Sequence, residues 1–395
     1  MKEKIKNFVK YNKIIYKIYY YCMSIIIRFI GIFIKIDNNL ILINSFGGKK
    51  YDDSPKVIYE YLIEHEEYNK YKIIWALDDI NIKIPGRAQK MKNDTIQYFI
   101  TALKAKYWIT NSSLERGLNF KKKKTIELNT WHGTTIKKMA SEVKNNKSFK
   151  GHMSCNIMLA MNEREKEFFS RGFNVPIENM RICGLPRNDE LINKSIEQKQ
   201  ILRNNFIEKN NLDGKKKIIL YAPTFREYIN INNLNTLKNP INFKKWKAEI
   251  GEEYIVLFRA HYETAQIMNF NPDNQFIYDF SKYGDLNELM IASDILISDY
   301  SSIINDYALL EKPIIDFAYD FEEYERERGV VDYIWKKIPN KIEKEVELIN
   351  FIKNINYIKE CEKTKEYSKK IGNRIENSTE KAVSFLFNYG KKREK

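Results

Sequence analysis

Cysteine and histidine are scarce in this chain of 395 residues, which contains four of each. The cysteines are widely separated, with neither the spacing of a metal site nor the density of a disulfide framework. They are Cys22, Cys155, Cys183 and Cys361. This usage fits a protein of the reducing cytoplasm. Because histidine is so rare, a histidine that falls within a polar motif is a candidate for chemistry.

The sequence also has no signal-peptide cleavage pattern, no internal repeat and no long low-complexity region. Its net charge of +15 favours an anionic partner, either nucleic acid, anionic lipid or an anionic polymer. Only charge and aromatic residues support nucleic-acid binding, and no recognisable module does. We therefore expect no nucleic-acid partner. Residues 121–124 form a basic cluster that suits a solvated turn and a polymer-binding patch equally well.

Residues 6–35 have the pattern of one amphipathic helix. At about 100° per residue, its basic residues fall within an arc of roughly 60° together with Ser24 and Gly31. They are Lys6, Lys10, Lys13, Lys17, Arg28 and Lys35. The uncharged run of residues 18–27 is shorter than the roughly 20 residues that a bilayer span needs. We predict a membrane-associating helix within residues 1–36, lying at an anionic interface. A transmembrane anchor and a helix docked on its own domain remain alternatives.

One segment combines an apolar strand with hydroxyl residues at the start of a helix. Residues 295–297 suit a buried parallel strand, Ser301 or Ser302 suits an N-cap, and an apolar helical face follows. The members of that face are Ile303, Ile304, Tyr307 and Leu310. Helix amides, the helix dipole and the two hydroxyls together favour a phosphate or diphosphate ligand. An ordinary capped helix after an ordinary strand has the same pattern.

Four further polar motifs each follow or end an apolar segment. They are Trp131-His132-Gly133-Thr134, Pro186-Arg187-Asn188-Asp189, Tyr221-Ala222-Pro223-Thr224 with Arg226, and Arg259-Ala260-His261-Tyr262. We expect them at the carboxyl ends of parallel strands, where open α/β sheets bind ligands. A lone histidine is more often structural, but the glycine and threonines beside His132 indicate a turn and favour a working imidazole.

These motifs, with Asp299-Tyr300-Ser301-Ser302 and Asp306-Tyr307, resemble the signatures of the CDP-glycerol glycerophosphotransferases that build teichoic acids. They also occur in the order of that family, over residues 129–329. The acidic, tyrosine-rich residues 316–324 resemble the segment that follows the serines in this family. Thr135 stands where proline is usual and Phe225 where tryptophan is frequent, and neither change removes a catalytic group.

The resemblance implies an α/β, GT-B-like fold, with two Rossmann-like domains facing a central cleft. The acceptor-side domain is predicted at residues 37–208, and the CDP-donor-binding domain with the C-terminal helices at residues 209–395. Strands are predicted at residues 40–44, 72–76, 107–110, 125–128, 157–161, 217–221, 254–258, 295–298 and 313–317. Helices are predicted near residues 55–64, 95–104 and 163–170, with a helical pattern over 341–389. The polar residues 198–216 are predicted to contain the hinge.

The resemblance further implies transfer of glycerol phosphate, or a related polyol phosphate, from its CDP-activated form to a hydroxyl of an undecaprenyl-linked acceptor, with release of CMP. His132 is the predicted base, and His261 is predicted to bind or protonate the departing phosphate. The predicted substrate-binding residues are Thr134, Arg187, Arg226, Arg259, Asp299, Ser301, Ser302 and Asp306. A structural role suits Asp299 and Asp306 equally well. No paired acidic motif suggests a metal, and no cofactor is expected besides CDP-glycerol as substrate.

The expected location is the cytoplasmic face of the cell membrane, as a peripheral protein. Glycerol or ribitol, one added unit or many, and the oligomeric state all remain open. A GT-B glycosyltransferase that uses a nucleotide sugar is the alternative function, because it would share the fold, the phosphate-binding helix and the membrane association. The histidine motifs weigh against it.

Overall fold

The computed structural model describes residues 12–139, 142–143, 153–224, 226, 228, 240–260, 272–273 and 275–392. The chain forms two compact units. The first comprises Met1–His132, Asn146–Asp189 and Asn377–Lys395, and the second comprises Gly133–Asn145 and Glu190–Glu376. These units differ from the contiguous domains expected from the sequence, because residues 190–208 belong to the second unit and the carboxyl-terminal residues return to the first.

The predicted strands form, with ends displaced by at most three residues. The strands are β1 (Asp37–Asn44), β2 (Lys72–Leu77), β3 (Gln89–Lys92), β4 (Ala105–Thr110), β5 (Ile126–Asn129), β6 (Ile157–Ala160), β7 (Met180–Ile182), β8 (Lys217–Ala222), β9 (Tyr254–Phe258), β10 (Ile277–Asp279), β11 (Ile295–Ser298), β12 (Ile314–Phe317) and β13 (Lys341–Ile342). The helices are α1 (Lys13–Phe33), α2 (Asp53–Glu64), α3 (Ile96–Lys104), α4 (Glu163–Phe173), α5 (Asp189–Asn193), α6 (Ile196–Lys209), α7 (Phe243–Ile250), α8 (Leu286–Ala292), α9 (Ile303–Tyr307), α10 (Phe321–Glu327), α11 (Asp332–Trp335), α12 (Glu345–Lys353), α13 (Tyr357–Ile371) and α14 (Ser378–Lys392).

The sheet of the first unit has seven parallel strands in the order β3-β2-β1-β4-β5-β6-β7. Neighbouring residues of β1 pack on opposite faces of this sheet. Leu42 joins the cluster that contains Tyr98 of α3, whereas Ile43 joins the cluster that contains Leu62 of α2. Because the strand is apolar on both faces, helices cover both, and the sheet is doubly wound.

The second unit repeats this construction with the parallel strand order β10-β9-β8-β11-β12-β13. Leu220 of β8 packs in the cluster of Tyr307 from α9, and the next residue, Tyr221, packs in the cluster of Trp246 from α7. In each sheet the chain starts at a central strand, runs to one edge and then returns to the other side. The order reverses between β1 and β4 and between β8 and β11, and such switch points are where α/β sheets bind ligands.

Most of residues 198–216, predicted to contain the hinge, is the helix α6 instead. Ser195 accepts from the amide of Gln198 at 3.2 Å, and the Gln198 side chain accepts from the Ser195 amide at 2.9 Å. This capping box fixes the start of the helix. Among the α6 residues only Phe206 is buried. A helix that is polar on nearly every side lacks the apolar period from which a helix is predicted.

α1 packs along the first unit with one side and exposes the other. Its buried residues include Tyr20, Ser24, Ile27 and Gly31, at helical spacing. The Asn119 amide donates to Ser24 Oγ at 3.0 Å, and a methyl group added at Gly31 would lie 3.0 Å from Leu103. Ser24 and Gly31 of the predicted arc therefore dock the helix on its own unit, whereas Lys17, Arg28 and Lys35 of the same arc are exposed. Lys6 and Lys10 lie outside the described residues. Residues Ile14–Phe33 are also long and apolar enough to cross a membrane, by length and composition only.

Candidate active site

Polar residues gather at the carboxyl edge of the first sheet, as the sequence predicts. β1, β4 and β5 are neighbours, and they end at Asn44, Thr110 and Asn129. The residues that follow these three strands therefore lie close together at the switch point. Within the first unit, this edge holds the His132 turn.

His132 lies in a turn with unusual backbone angles, since φ is 52° at Trp131 and 154° at Gly133. Its Nδ1 lies 2.8 Å from the carbonyl oxygen of Asn111. Because a carbonyl oxygen only accepts hydrogen bonds, Nδ1 carries the proton, and in the neutral ring Nε2 has the lone pair. The ring packs on Trp131 and Phe46, with centroid separations of 4.0 and 5.7 Å. This geometry presets the tautomer that a general base needs.

Asn111 is a site residue that the sequence analysis missed. Its Oδ1 accepts from the Phe46 amide at 2.7 Å, and its Nδ2 donates to Ser45 Oγ at 3.3 Å. One residue therefore joins the turn after β1 to the imidazole after β5. The signal that indicates it is the polar run of residues 111–113, which directly follows the strand predicted at residues 107–110, as the other motifs follow theirs.

Arg187 and Asp53 hold the His132 turn from within the protein. Arg187 Nη1 donates to the His132 carbonyl oxygen at 2.9 Å and to Asp53 Oδ2 at 2.6 Å. Both side chains are largely buried, with 13% and 4% exposed. Asp53 has a φ of 63°, and its Oδ1 accepts from the Ser54 amide at 2.5 Å. Through these contacts Arg187 holds the His132 turn, while its phosphate-binding role stays a prediction. Asp53 joins the site as a residue that its sequence context did not indicate.

The last residue of the same motif, Asp189, caps the carboxyl-terminal helix. Its Oδ1 accepts from the Ser378 amide at 2.9 Å. Its Oδ2 accepts from the amide and the hydroxyl of Thr379 at 2.8 and 2.6 Å. The Pro-Arg-Asn-Asp motif thus serves the architecture of the first unit, because one residue clamps the histidine turn and another fixes the start of α14.

In the second unit, Arg226 bridges the ends of three neighbouring strands. Its Nε and Nη2 donate to the two carboxylate oxygens of Asp320 at 2.7 and 2.9 Å. Nη2 also donates to Asp299 Oδ2 at 2.9 Å, and Nη1 donates to the Thr224 carbonyl oxygen at 2.7 Å. Asp299 Oδ1 accepts from the Thr224 amide at 2.8 Å. The turns after β8, β11 and β12 are therefore tied together at the switch point.

Three tyrosine rings enclose this guanidinium. The centroids of Tyr300, Tyr319 and Tyr324 lie 5.0, 5.3 and 5.2 Å from Arg226 Cζ. Burial opposes the guanidinium charge, but the neighbouring carboxylates raise the pKa of Arg226 well above its ordinary value. The neutralisation of a phosphate oxygen by Arg226 stays a prediction. In this structure two carboxylates compensate its charge, and the tyrosine-rich residues 316–324 supply much of its enclosure.

Asp316 adds a third carboxyl group to this cluster and is fully buried. Burial raises the pKa of Asp316 to about 7; Lys341 opposes the rise, and Asp299 adds to it. Among the described residues of this cluster, the carboxylates of Asp299 and Asp320 balance the charge of Arg226.

Ser301 and Ser302 form the turn between β11 and α9 and are half-buried. The Ser301 amide donates to the Asp299 carbonyl oxygen at 2.5 Å, and Ser301 Oγ accepts from the Ile303 amide at 3.4 Å. Ser302 occupies the N-cap position of α9 but makes no side-chain capping hydrogen bond there. The N-cap position is as predicted, but α9 has only five residues, so its dipole is weaker than that of the predicted helix.

Three other predicted substrate-binding residues lie in the packing of the second unit. Thr134 Oγ1 accepts from Asn305 Nδ2 at 2.6 Å, and both residues are buried. Arg259 donates to the Tyr283 carbonyl oxygen at 2.7 Å. Asp306 is buried within α9, which agrees with the structural alternative that its sequence context allowed.

The second predicted catalytic residue, His261, lies outside the described residues, as do Tyr262 and Phe225. Its role stays a prediction. Across the described part of the chain, no cluster of three or more His, Cys, Asp or Glu side chains is arranged to hold a metal ion. The expectation of a metal-independent reaction likewise stays a prediction.

Two doubly wound units, each with a polar motif at its switch point, define an α/β enzyme of the GT-B type. The family model described as CDP-glycerol:poly(glycerophosphate) glycerophosphotransferase matches residues 26–381. This chain belongs to that family.

Curated relatives agree with the family. The teichoic acid poly(glycerol phosphate) polymerase of Staphylococcus epidermidis is 33% identical over 352 residues, which cover 84% of this chain and 47% of that protein. The polymerase of the same description from Bacillus spizizenii is 30% identical over 371 residues, which cover 89% of this chain and 92% of that protein. The chain therefore spans about half the length of the first relative and nearly all of the second.

Solved structures agree with the fold. The wall teichoic acid polymerase TagF superimposes with a TM-score of 0.78 at 28% identity, over 91% of each chain. A histidine-to-asparagine variant of TagF soaked with CDPG gives the same TM-score and identity, over 91% of this chain and 90% of that one. The UDP-GlcNAc 2-epimerase of Neisseria meningitidis has a TM-score of 0.53 at 14% identity, over 88% of this chain and 99% of that one, so it shares the fold alone.

Proposed function

We propose that this protein transfers glycerol phosphate, or a related polyol phosphate, from a CDP-activated donor to a hydroxyl of an undecaprenyl-linked acceptor and releases CMP. The observation that carries this proposal is the hydrogen bond from His132 Nδ1 to the Asn111 carbonyl oxygen, because it leaves Nε2 as the basic nitrogen. Two relatives are described as poly(glycerol phosphate) polymerases, and a TagF variant was soaked with CDPG. Membership of the family favours this reaction over the nucleotide-sugar alternative.

In the proposed step, the acceptor oxygen attacks the β-phosphorus of the donor. An oxygen–phosphorus bond forms there, the bond from the β-phosphorus to the bridging oxygen breaks, and CMP leaves with that oxygen. The proton of the acceptor hydroxyl passes to His132 Nε2. His261 is proposed to bind or protonate the departing phosphate. The step changes no oxidation state and needs no redox cofactor.

We propose that the hydroxyls of Ser301 and Ser302 donate to the donor diphosphate, because hydrogen bonds to a charged acceptor are the stronger kind. Asp299 supports this role indirectly. Its carbonyl oxygen accepts from the Ser301 amide, and its carboxylate is held by Arg226. In this arrangement Arg226 shapes the serine turn through Asp299 and does not itself bind the diphosphate.

Replacing His132 tests the proposed base. His132→Ala should lower the rate of CMP release from CDP-glycerol at least about a hundredfold, the usual scale of general-base catalysis, while the affinity for CDP-glycerol changes little. His65→Ala is the matched control, because His65 Nδ1 also lies 2.8 Å from a backbone carbonyl oxygen, that of Tyr61. The control should retain turnover.

Calorimetric titration with CDP-glycerol separates binding from chemistry in the same variants. Normal turnover in His132→Ala would refute the role of the base. No turnover of CDP-glycerol by the unaltered protein, with any defined lipid-linked acceptor, would refute the proposed function itself. The length of the product on such an acceptor, measured by mass spectrometry, distinguishes single addition from polymerisation, and CDP-ribitol as donor tests the choice of polyol.

We further propose that the protein works at the cytoplasmic face of the membrane, with α1 as its contact. Docking of Ser24 and Gly31 on the protein supports a helix that lies along the surface, because a helix crossing the bilayer would have to leave these contacts.

A further inference from the structure

The side of α1 that faces away from the protein is apolar along its whole length. Its residues recur at spacings of three and four, as on one face of a helix. The residues of this strip are Ile14, Ile18, Tyr21, Ile25, Phe29, Ile32 and Phe33, and Tyr19, Ile26 and Ile30 are exposed beside it. Ile14 is 72% exposed at one end, and Ile32 and Phe33 are each 74% exposed at the other. Such a continuous apolar strip is costly in water and favours insertion into lipid.

A cationic cavity of about 680 Å³ opens at the carboxyl-terminal end of this helix. Six basic residues line it, namely Arg28, Lys35, Lys106, Lys122, Lys123 and Lys124. The lining contains no aspartate or glutamate. The nearest acidic residue in sequence is Asp37, whose Oδ1 accepts from the Asn39 amide at 3.0 Å. The cavity volume is in the range of about 300–1,000 Å³ typical of small-ligand sites.

The fold brings these residues together from distant parts of the sequence. Arg28 and Lys35 come from α1 and the turn after it, Lys106 from the start of β4, and residues 122–124 from the segment before β5. Lys122 Nζ donates to the carbonyl oxygen of Ile34, which ties that segment to the end of α1. Burial lowers the pKa of Lys122, so an anion in the cavity would stabilise its charged form.

The cavity is distinct from the candidate active site of the same unit. It lies where β1, β4 and β5 begin, whereas Asn111 and His132 follow the ends of β4 and β5. About 17 Å of strand separates Lys106 from Asn111, at about 3.3 Å per residue. An anion at Lys106 therefore does not occupy the site of phosphate transfer.

We propose that this cavity binds the phosphate headgroup of an anionic phospholipid, in the bilayer that receives the exposed apolar strip of α1. The proposal rests on the membrane location proposed above and adds the site and the chemistry of the contact. The apolar strip and the cationic cavity meet at Arg28 and Ile32, where a lipid offers an acyl chain and a phosphate at once. Ammonium and guanidinium groups form charge-assisted hydrogen bonds with such a phosphate.

The test compares two triple variants of the full chain that lose the same charge. The cavity variant carries three changes at exposed side chains of the cavity, namely Arg28→Gln, Lys35→Gln and Lys124→Gln. The control variant carries three changes at exposed lysines of the same unit that do not line the cavity, namely Lys70→Gln, Lys72→Gln and Lys83→Gln. Sedimentation with mixed phosphatidylglycerol and phosphatidylcholine vesicles measures partition. The partition coefficient of the cavity variant should be about a hundredfold lower than that of the unaltered protein, since each basic residue at an anionic surface raises the partition coefficient on the order of fivefold. The partition coefficient of the control variant should fall by less than about fivefold.

Equal losses in the two variants would overturn the proposal, because they indicate diffuse electrostatic attraction and no site. Equal binding of the unaltered protein to anionic vesicles and to pure phosphatidylcholine vesicles would also overturn it. Glycerol phosphate in solution should displace the unaltered protein from anionic vesicles while barely affecting the cavity variant. If the cavity variant keeps its vesicle binding and instead loses binding to soluble poly(glycerol phosphate), the cavity holds polymer and the lipid assignment is wrong.

Turnover distinguishes this proposal from the proposed function. The cavity variant should transfer glycerol phosphate to a soluble acceptor analogue at the rate of the unaltered protein. A protein that binds anionic vesicles through the cavity but fails to use CDP-glycerol would refute the function and leave the headgroup site intact.

Discussion

At the scale of single residues, the position of the His132 imidazole depends on two carbonyl contacts. The ring is held by the carbonyl oxygen of Asn111, and the carbonyl oxygen of His132 itself is held by Arg187. Arg187 is in turn fixed by the buried carboxylate of Asp53. A displacement of about 1 Å at a reacting group can cost about a hundredfold in rate. We therefore propose that this ion pair affects catalysis through the position of His132, without touching substrate.

Asp53→Asn should lower kcat about tenfold and leave KM for CDP-glycerol nearly unchanged. Asparagine keeps the shape and tolerates the positive φ of this position, but it weakens the bond to Arg187 by removing the charge. Steady-state kinetics measures the two constants separately. Asp294→Asn is the control, because Asp294 also accepts from an arginine, Arg203, at 2.9 Å and from a backbone amide, that of Ile218, at 2.7 Å. A similar fall of kcat in both variants, or none in Asp53→Asn, would contradict the positioning role.

The positions of the site residues could be predicted from sequence better than their roles. Polar motifs directly after apolar strands place His132 and Ser301 at the carboxyl edges of their sheets. The sequence does not indicate that the Arg226 guanidinium is bound by Asp320, a residue 94 positions away. Nor does it indicate that Asn111 binds His132 across neighbouring strands. Such pairings are set by strand order, which the local pattern leaves open.

At the scale of elements, the Arg226 cluster holds three turns of the second sheet in place. A bidentate guanidinium is needed for this, because it reaches Asp320 with two donors and Asp299 with a third contact. The turn that carries Ser301 and Ser302 is one of the three. Removing the cation would leave two carboxylates buried without their partner, which is among the most costly single changes in a protein interior.

Arg226→Met should lower the free energy of unfolding by about 3–5 kcal/mol, the usual cost of breaking a buried ion pair from one side. Urea denaturation followed by circular dichroism measures this loss. Lys336→Ala is the control, since it breaks the exposed pair with Asp332, in which each side chain is 67% exposed, and should cost about 0–1 kcal/mol. Normal stability of Arg226→Met combined with lost CDP-glycerol affinity would contradict the structural role and restore Arg226 as a phosphate ligand.

Strands that are buried along their length could be predicted from the sequence, whereas an exposed edge strand and a polar helix could not. β8, β9 and β11 are buried along nearly their whole length, and they form where the apolar runs indicate them. β3, with the sequence Gln-Lys-Met-Lys, is mostly exposed at the edge of its sheet. Its backbone pairing with β2 decides its conformation, and side-chain periodicity does not report that pairing. For α6, the sequence feature that indicates a helix is the capping box of Ser195 and Gln198.

For α1, the periodicity of the sequence predicts the arc of basic residues, but it does not predict which side of the helix faces the protein. Ser24 and Gly31 fall in the basic arc because small residues are needed where a helix approaches other elements closely. The same residues would suit the polar side of a free interfacial helix. Only the packing of the first unit determines that Ser24 and Gly31 face the protein and that the apolar strip faces outward.

At the scale of the whole molecule, the chain completes its first unit only at its carboxyl end. α14 adds Val383, Leu386 and Phe387 to the core formed by β1, β4 and β5. Phe387 lies 5.0 Å from Tyr107 between ring centroids. The first unit therefore depends on α14, which begins more than 180 residues after Asp189. Asp189 itself caps the start of that helix. Each unit has its own buried clusters, so local unfolding of one need not involve the other.

Asp189→Ala should therefore lower the free energy of local unfolding in the first unit and leave that of the second unchanged. It removes three hydrogen bonds at the start of α14, and loss of a helix cap costs about 0.5–2 kcal/mol. Because that loss of free energy makes local opening about 2- to 30-fold more frequent, hydrogen exchange measured by mass spectrometry should become faster by the same factor in β4 and β5. Exchange in β8 and β11 should remain unchanged.

Asn356→Ala gives the reciprocal control, because Asn356 caps α13 of the second unit by accepting from the Lys359 amide at 3.2 Å. That variant should raise exchange in β8 and β11 and spare β4 and β5. The two patterns follow from the separate cores, since α14 packs with Tyr107 and Leu128 in the first unit and α13 packs with Tyr307 and Leu309 in the second. If either variant raises exchange equally in both sheets, the two units open as one cooperative body, and the carboxyl-terminal return of the chain stabilises the whole molecule instead of one half.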